Sequence, residues 1–195
     1  MHHIFVIMGK SATGKDTIYR RLLEEESLSL SRVVPYTTRP VRDGEQNGRE
    51  YFFTDGEGYE SACREGRVIE SRAYDTVYGR WYYFTLDDGQ IDLTERDSLV
   101  IGTLVSFRSF VTYFGRANVI PIYIEVEDGE RLSRALQRER RQDHPGYAEM
   151  CRRFLADSAD FSEENLRKAG ITGGFRNDDI DCCVARICQY IREAG

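Results

Sequence analysis

Ile4-Phe5-Val6-Ile7-Met8-Gly9-Lys10-Ser11-Ala12-Thr13-Gly14-Lys15-Asp16-Thr17 sets an apolar run of strand length directly before a glycine-bounded loop, with a helix-compatible segment behind it. The order reads as strand, phosphate loop, helix. Gly9, Gly14 and Lys15 satisfy G-x-x-x-x-G-K, a spacing in which backbone N–H groups curl around phosphate oxygens while the lysine reaches the far phosphates. Ser11, Ala12 and Thr13 supply further loop amides, and the N-terminus of the following helix adds its own unpaired N–H groups and positive dipole end. Lysine is rare in this chain, yet Lys10 and Lys15 both lie in the loop, where a compact point charge serves better than a planar fork. The plainer alternative is a glycine turn with no ligand. One position departs from the motif. Where a hydroxyl residue is expected after the lysine, to ligate Mg²⁺, stands Asp16, with Thr17 one place later.

At 195 residues the chain suits one α/β domain with small insertions. Its net charge of −6 gives no overall attraction for nucleic acid or an anionic membrane, so any anion site must be local. Five cysteines without a C-x-x-C pair fit reduced thiols and predict neither a disulfide framework nor a zinc site. No cationic leader with an apolar core opens the chain and no apolar run approaches a membrane span. The expectation is a cytoplasmic protein.

Ile18, Leu22 and Leu23 make the helix after the loop amphipathic, and Ser31 to Val34 reads as a short strand. Residues 35 to 53 form a polar segment with three arginines, ending in the aromatic run Tyr51-Phe52-Phe53. A connection of this length is either an exposed loop or a functional one. Arg39 and Arg42, beside Thr37, Thr38 and Tyr51, suit a cradle for a second phosphate. Asp55 to Gly66 predicts a helix, and Val68 to Tyr74 and Tyr78 to Thr85 two β segments. Leu99 to Thr103 suits a buried parallel strand, Ser106 to Phe114 a helix, and Val119 to Val126 a further strand. Glu130 to Gln142 is a helical stretch with five arginines, either a solvated face or a phosphate-facing one. Tyr147 to Leu166 reads as one long helix, Gly174 to Asn177 as a short strand end, and Asp179 to Ala194 as a C-terminal helix.

Tyr36-Thr-Thr-Arg-Pro-Val-Arg-Asp-Gly-Glu45, Gly48 and Tyr51-Phe-Phe53 resemble the acceptor-binding signature of guanylate kinases, T-T-R-x-x-R-x-G-E-x-x-G-x-x-Y. Gly66-Arg-Val-Ile-Glu70, Tyr78-Gly79 and Asn177-Asp-Asp179 follow in the family's order. The resemblance implies a three-layer α/β/α fold around a central parallel sheet. It divides the chain into a core (1–34 and 98–195), a small mixed α/β acceptor-binding insertion (about 35–86) and a helical lid (about 134–153). It also implies ATP as phosphoryl donor, Mg²⁺ as cofactor, and a nucleoside monophosphate, GMP first, as acceptor.

Phosphoryl transfer needs charge neutralisation and in-line positioning more than a covalent participant. On this reading Lys15 holds the β- and γ-phosphates, and Gly9, Ser11 to Gly14, Asp16 and Thr17 hold the donor chain. Asn177 and Asp178 touch the adenine, or else cap the last helix. Arg39, Arg42, Glu45, Tyr51 and Tyr78 with Gly79 and Arg80 build the acceptor site, and Glu70 reads the base. Arg134, Arg138 and Arg153 are the lid arginines that meet the charge in transit. The chain departs from the family at Pro35, Arg80, Gly102 and Leu104, where base-reading hydroxyls and strand carboxylates are expected. With no carboxylate at Gly102, Asp16 is the candidate Mg²⁺ ligand. G-K-D in the loop is similar to ribose 1,5-bisphosphate kinases, so a different phosphomonoester is one alternative. A catalytically silent binding module of the same fold is another.

Overall fold

The computed structural model describes residues 2–76 and 78–194. In chain order its elements are β1 (Ile4–Gly9), α1 (Lys15–Glu24), β2 (Ser31–Arg32), β3 (Tyr36–Thr37), β4 (Phe52–Phe53), α2 (Gly56–Arg64), β5 (Val68–Thr76) and β6 (Gly79–Leu86). There follow β7 (Ser98–Ile101), α3 (Leu104–Phe114), β8 (Val119–Glu125), α4 (Asp128–Glu139), α5 (Tyr147–Asp160), α6 (Glu163–Lys168), β9 (Phe175–Arg176) and α7 (Ile180–Ala194).

Every residue of β1 is buried, as expected of a parallel strand covered on both faces. It sits in the middle of a five-stranded sheet of order β2-β7-β1-β8-β9, parallel throughout. Strand alternation splits its side chains between two cores. Ile4, Val6 and Met8 pack with Val100, Phe107, Phe110 and Phe161 under α3. Phe5 and Ile7 pack with Ile18 and Leu22 of α1 and with Val184 and Ile187 of α7. This is the three-layer α/β/α arrangement the sequence predicts. The loop after β1 emerges at the carboxyl ends of the strands, where open α/β sheets bind ligands.

The second sheet is separate and mixed, of order β4-β3-β6-β5, with a small core of Ala62, Phe84 and Leu86 under Tyr36, Tyr59 and Tyr82. Ile69, early in β5, joins the main core beside Leu104 and Phe107 and seats this sheet against α3.

Two expectations are corrected. The stretch 147–166 is two helices: α5 ends at Asp160, and α6 opens with the Ser162 hydroxyl accepting from Asn165 N. Between them Phe161 is buried and stacks on Tyr123 at 5.5 Å, and this burial outweighs helix continuity. α3 begins two residues before Ser106, because Thr103 and Ser106 form a reciprocal capping box.

Candidate functional site

The phosphate loop is shaped by close approaches that only glycine allows. A Cβ at Gly9 would lie 2.7 Å from the carbonyl oxygen of Ile124, and one at Gly14, where φ is +83°, 2.6 Å from the Asn177 amide nitrogen. Ala12 also takes a left-handed φ of 63°, which for a residue with a Cβ costs on the order of 1 kcal/mol. The curl is therefore imposed by its surroundings, and these can be named. Asn177 Nδ2 donates to Thr13 O at 2.8 Å, Thr13 Oγ1 donates to Lys10 O, and Lys10 pairs with Asp128 at 3.4 Å. Lys15 is half-buried and Asp16 exposed, and neither joins an ion pair among the described residues.

A buried charge network ties the loop to the α4–α5 hairpin. Arg131 is 1% exposed. Its Nε donates to Ser11 O at 3.1 Å and its Nη1 to Asp128 at 2.6 Å, and its guanidinium lies over Phe154, 4.6 Å from the ring centroid. From α5, Asp157 accepts from the Ser11 amide at 2.6 Å. Both backbone groups of Ser11 are thus engaged from the hairpin. The sequence reading passed over Arg131 and Asp157. One signal for the former was present: Arg131, Ala135 and Glu139, the buried residues of α4, repeat at four-residue spacing and mark an inward face.

Arg138 and Arg153 line a cavity of about 210 Å³ together with Ser11, so these two lid candidates meet the phosphate loop. Arg153 is held by Glu149 at 2.8 Å. Arg134 is turned elsewhere, bonding Glu130 and the carbonyl oxygen of Asn177. Asn177 itself is 3% exposed and is spent on bracing the loop instead of opening toward a base. Asp178 is exposed and paired with Arg176. The helix cap falls to Asp179, whose carboxylate accepts from Cys182 N.

On the second sheet Arg39 is 4% exposed and locked. Both its Nη atoms donate to the Glu45 carboxylate, at 2.7 and 2.6 Å, and its guanidinium stacks near Tyr51 and Phe53. These bonds pull the Glu45 carboxyl down to about 2. Glu45 therefore orients Arg39, and it also accepts from the Arg42 amide, while the Arg42 side chain stays exposed. Thr37 and Thr38 spend their hydroxyls on the β6 backbone at Tyr82. Tyr83, which sequence reading missed, packs edge-on against Tyr51, and only its alternation with Tyr82 along β6 could have marked it.

Tyr78, Gly79 and Arg80 lie at the tip of the β5–β6 hairpin. Tyr78 is exposed and stacks on Trp81, and Arg80 pairs with Asp75. Arg80 stands three residues from Tyr83, roughly 10 Å along the strand. Glu70 is buried, accepts from the Thr85 hydroxyl at 3.1 Å and faces Arg72 at 3.2 Å.

A Cβ at Gly102 would meet Ser106 Cβ at 3.1 Å, so this strand end is packed closed where a second carboxylate was looked for. Among the described residues no three His, Cys, Asp or Glu side chains cluster as a metal cage. One exposed carboxylate, Asp16, with Thr17 beside it, is the hard-oxygen set at hand, and it suits Mg²⁺, which takes few protein ligands and completes its shell with phosphates and water.

The family model for guanylate kinase matches residues 1–84. A guanylate kinase of Porphyromonas gingivalis is 29% identical over 196 residues, covering 99% of this chain and 98% of that protein. One of Wolbachia pipientis is 28% identical over 190 residues, 97% of this chain and 89% of the relative. The crystal structure of guanylate kinase from Anaplasma phagocytophilum matches with a TM-score of 0.69 at 21% identity, over 98% of this chain and 85% of the other. That likeness carries the fold. With a phosphate loop on β1 and a pre-ordered arginine on the second sheet, in a chain matched along nearly its whole length by these relatives, this protein is similar to guanylate kinases, and its residues 1–84 match that family's model.

Proposed function

We propose that this chain transfers the γ-phosphoryl group of ATP to a nucleoside monophosphate, GMP first, giving ADP and the diphosphate. The observation that carries the reading is a matched pair of anion sites. One is the curled loop with Lys15 at the N-terminus of α1. The other is Arg39, fixed by Glu45 and the ring of Tyr51. A phosphotransferase that anchors donor and acceptor phosphates in line needs to supply little more than neutral surroundings for the charge in transit.

In this scheme residues 35–86 hold the acceptor and about 134–153 form the lid. Lys15 and the loop amides bind the donor phosphates, Arg39, Arg42 and Tyr51 bind the acceptor phosphate, and Arg138 and Arg153 neutralise the transferring group from the lid side. Asp16 and Thr17 would hold Mg²⁺, which when bound offsets the charge of the donor phosphates. The cytosol is the proposed workplace. Free thiols at all five cysteines and the lack, among the described residues, of a helix able to cross a membrane accord with it.

The test is a coupled ADP-release assay with ATP and Mg²⁺ against GMP, IMP, AMP, CMP, UMP and ribose 1,5-bisphosphate. Turnover greatest with a purine monophosphate is the expected result. Turnover with ribose 1,5-bisphosphate alone would overturn the acceptor assignment, and no turnover with any acceptor would overturn the enzymatic one.

A further inference from the structure

At the outer edge of the main sheet, beside β8 and α7, a cavity of about 460 Å³ is lined by Arg116 and Arg186 and by no carboxylate. Its size is that of a small-molecule site. In a chain with 33 Asp and Glu against 27 Lys and Arg, neither of these arginines joins an ion pair among the described residues. Each guanidinium lies over an aromatic ring. Arg116 sits 5.7 Å from the Phe107 centroid and donates to Val119 O at 2.8 Å by one Nη. Arg186 sits 5.9 Å from the Phe175 centroid and donates to no acceptor among the described residues. Part of the wall is bare main chain, because Gly170, Gly173 and Gly174 line the cavity with no side chain. The N–H groups of Thr172, Gly173 and Gly174 find no backbone acceptor among the described residues, and a Cβ at Gly173 would meet nothing within 4 Å. Successive unpaired amides and unpaired guanidinium groups are both ligands for oxyanions.

The rest of the wall is apolar. Pro121 contributes to it, as do Phe175 and Tyr190, whose rings lie 5.3 Å apart. The cavity is also separate from the phosphate loop. Ile120, which lines it, stands opposite Phe5, whereas Gly9 of the loop stands opposite Ile124. Those four residues set it about 13 Å nearer the amino ends of the strands. We propose that this cavity is a third anion site, for an organic phosphate with an aromatic body. The two arginines and the amides of residues 172–174 take the phosphate, and Phe175 and Tyr190 take the ring. The assignment goes beyond the phosphoryl-transfer reading and does not depend on it.

An amide-resolved NMR titration of the whole protein with phenyl phosphate, inorganic phosphate and phenol tests this. The signals of Thr172, Gly173 and Gly174 should shift together and saturate with phenyl phosphate, at an affinity at least about threefold above that for inorganic phosphate. Phenol should leave them in place. The double variant Arg116→Gln/Arg186→Gln should weaken the phenyl phosphate response at least about tenfold. Both arginines are exposed, so this variant keeps the fold, and its unshifted remaining signals verify that. Lys15→Met, which removes the lysine of the phosphate loop, should leave the response at residues 172–174 intact. Signals at these residues that stay still, that vanish in Lys15→Met, or that persist undiminished in the double variant overturn the proposal. An equal response to phenol makes the cavity an apolar pocket, and equal affinity for inorganic and phenyl phosphate removes the aromatic body. Either result overturns the ligand class.

Discussion

Arg39 owes its usefulness to Glu45. A guanidinium with two Nη bonds to one carboxylate and rings beneath it has lost its side-chain freedom before a phosphate arrives, so little entropy remains to be lost on binding. The pair also sets a pH window. The Glu45 carboxyl titrates at about 2 in the folded chain, below the ordinary glutamate value of about 4.3. Its contribution is complete above that ordinary value and is lost as the pH falls toward 2. Acceptor KM should therefore owe no change to this pair between pH 7 and pH 5. Glu45→Gln should raise acceptor KM about tenfold with a smaller effect on kcat, measured by steady-state kinetics across that range. On the proposed role of Asp16 in holding Mg²⁺, Asp16→Ala should lower Mg²⁺-dependent kcat by roughly 100-fold or more. Normal Mg²⁺-dependent turnover in that variant would show that the carboxylate does not hold the ion.

At the scale of elements, α4 and α5 are pinned to the phosphate loop by Arg131, Asp128 and Asp157. Arg131→Met would take one partner from Asp128, which keeps Lys10, and one from Asp157, which keeps the Ser11 amide, and would leave the Ser11 carbonyl unpaired, at a cost of about 1–3 kcal/mol. Urea unfolding should show that loss as a lowered midpoint, and the variant's KM for ATP should rise more than its KM for the acceptor. The network also explains what sequence reading could and could not reach. β1, the loop and α1 were legible because glycines, lysine and apolar run stand side by side in fourteen residues. Arg131 lies 120 residues from the carbonyl it holds and Asp157 lies 146 from its amide, and no local pattern records a partner so distant. Tyr78-Gly79 fitted a motif and Arg80 departed from it, while the pairing of β5 with β6, which sets all three at a hairpin tip, was not written in that motif. The helix break at Phe161 and Ser162 was written as an S-E-E-N cap signature, hidden inside an otherwise continuous helical pattern.

Across the whole molecule, the two sheets share no strand, and the single tryptophan, Trp81, belongs to the smaller one. Its emission should shift when GMP binds and stay nearly unchanged with ATP alone. A fluorescence titration checks this, and equal shifts from both ligands would contradict the division of labour between the sheets. The brace between Asn177 and Thr13 spans 164 positions and has a consequence during synthesis. The loop leaves the ribosome 164 residues ahead of one of its supports. At about 5–20 residues per second, roughly 10 to 30 seconds separate the two. Through that interval the nascent chain carries an unfinished nucleotide loop, so stalled chains ending before Asn177 should fail to be retained on immobilised ATP, whereas released full-length chains bind.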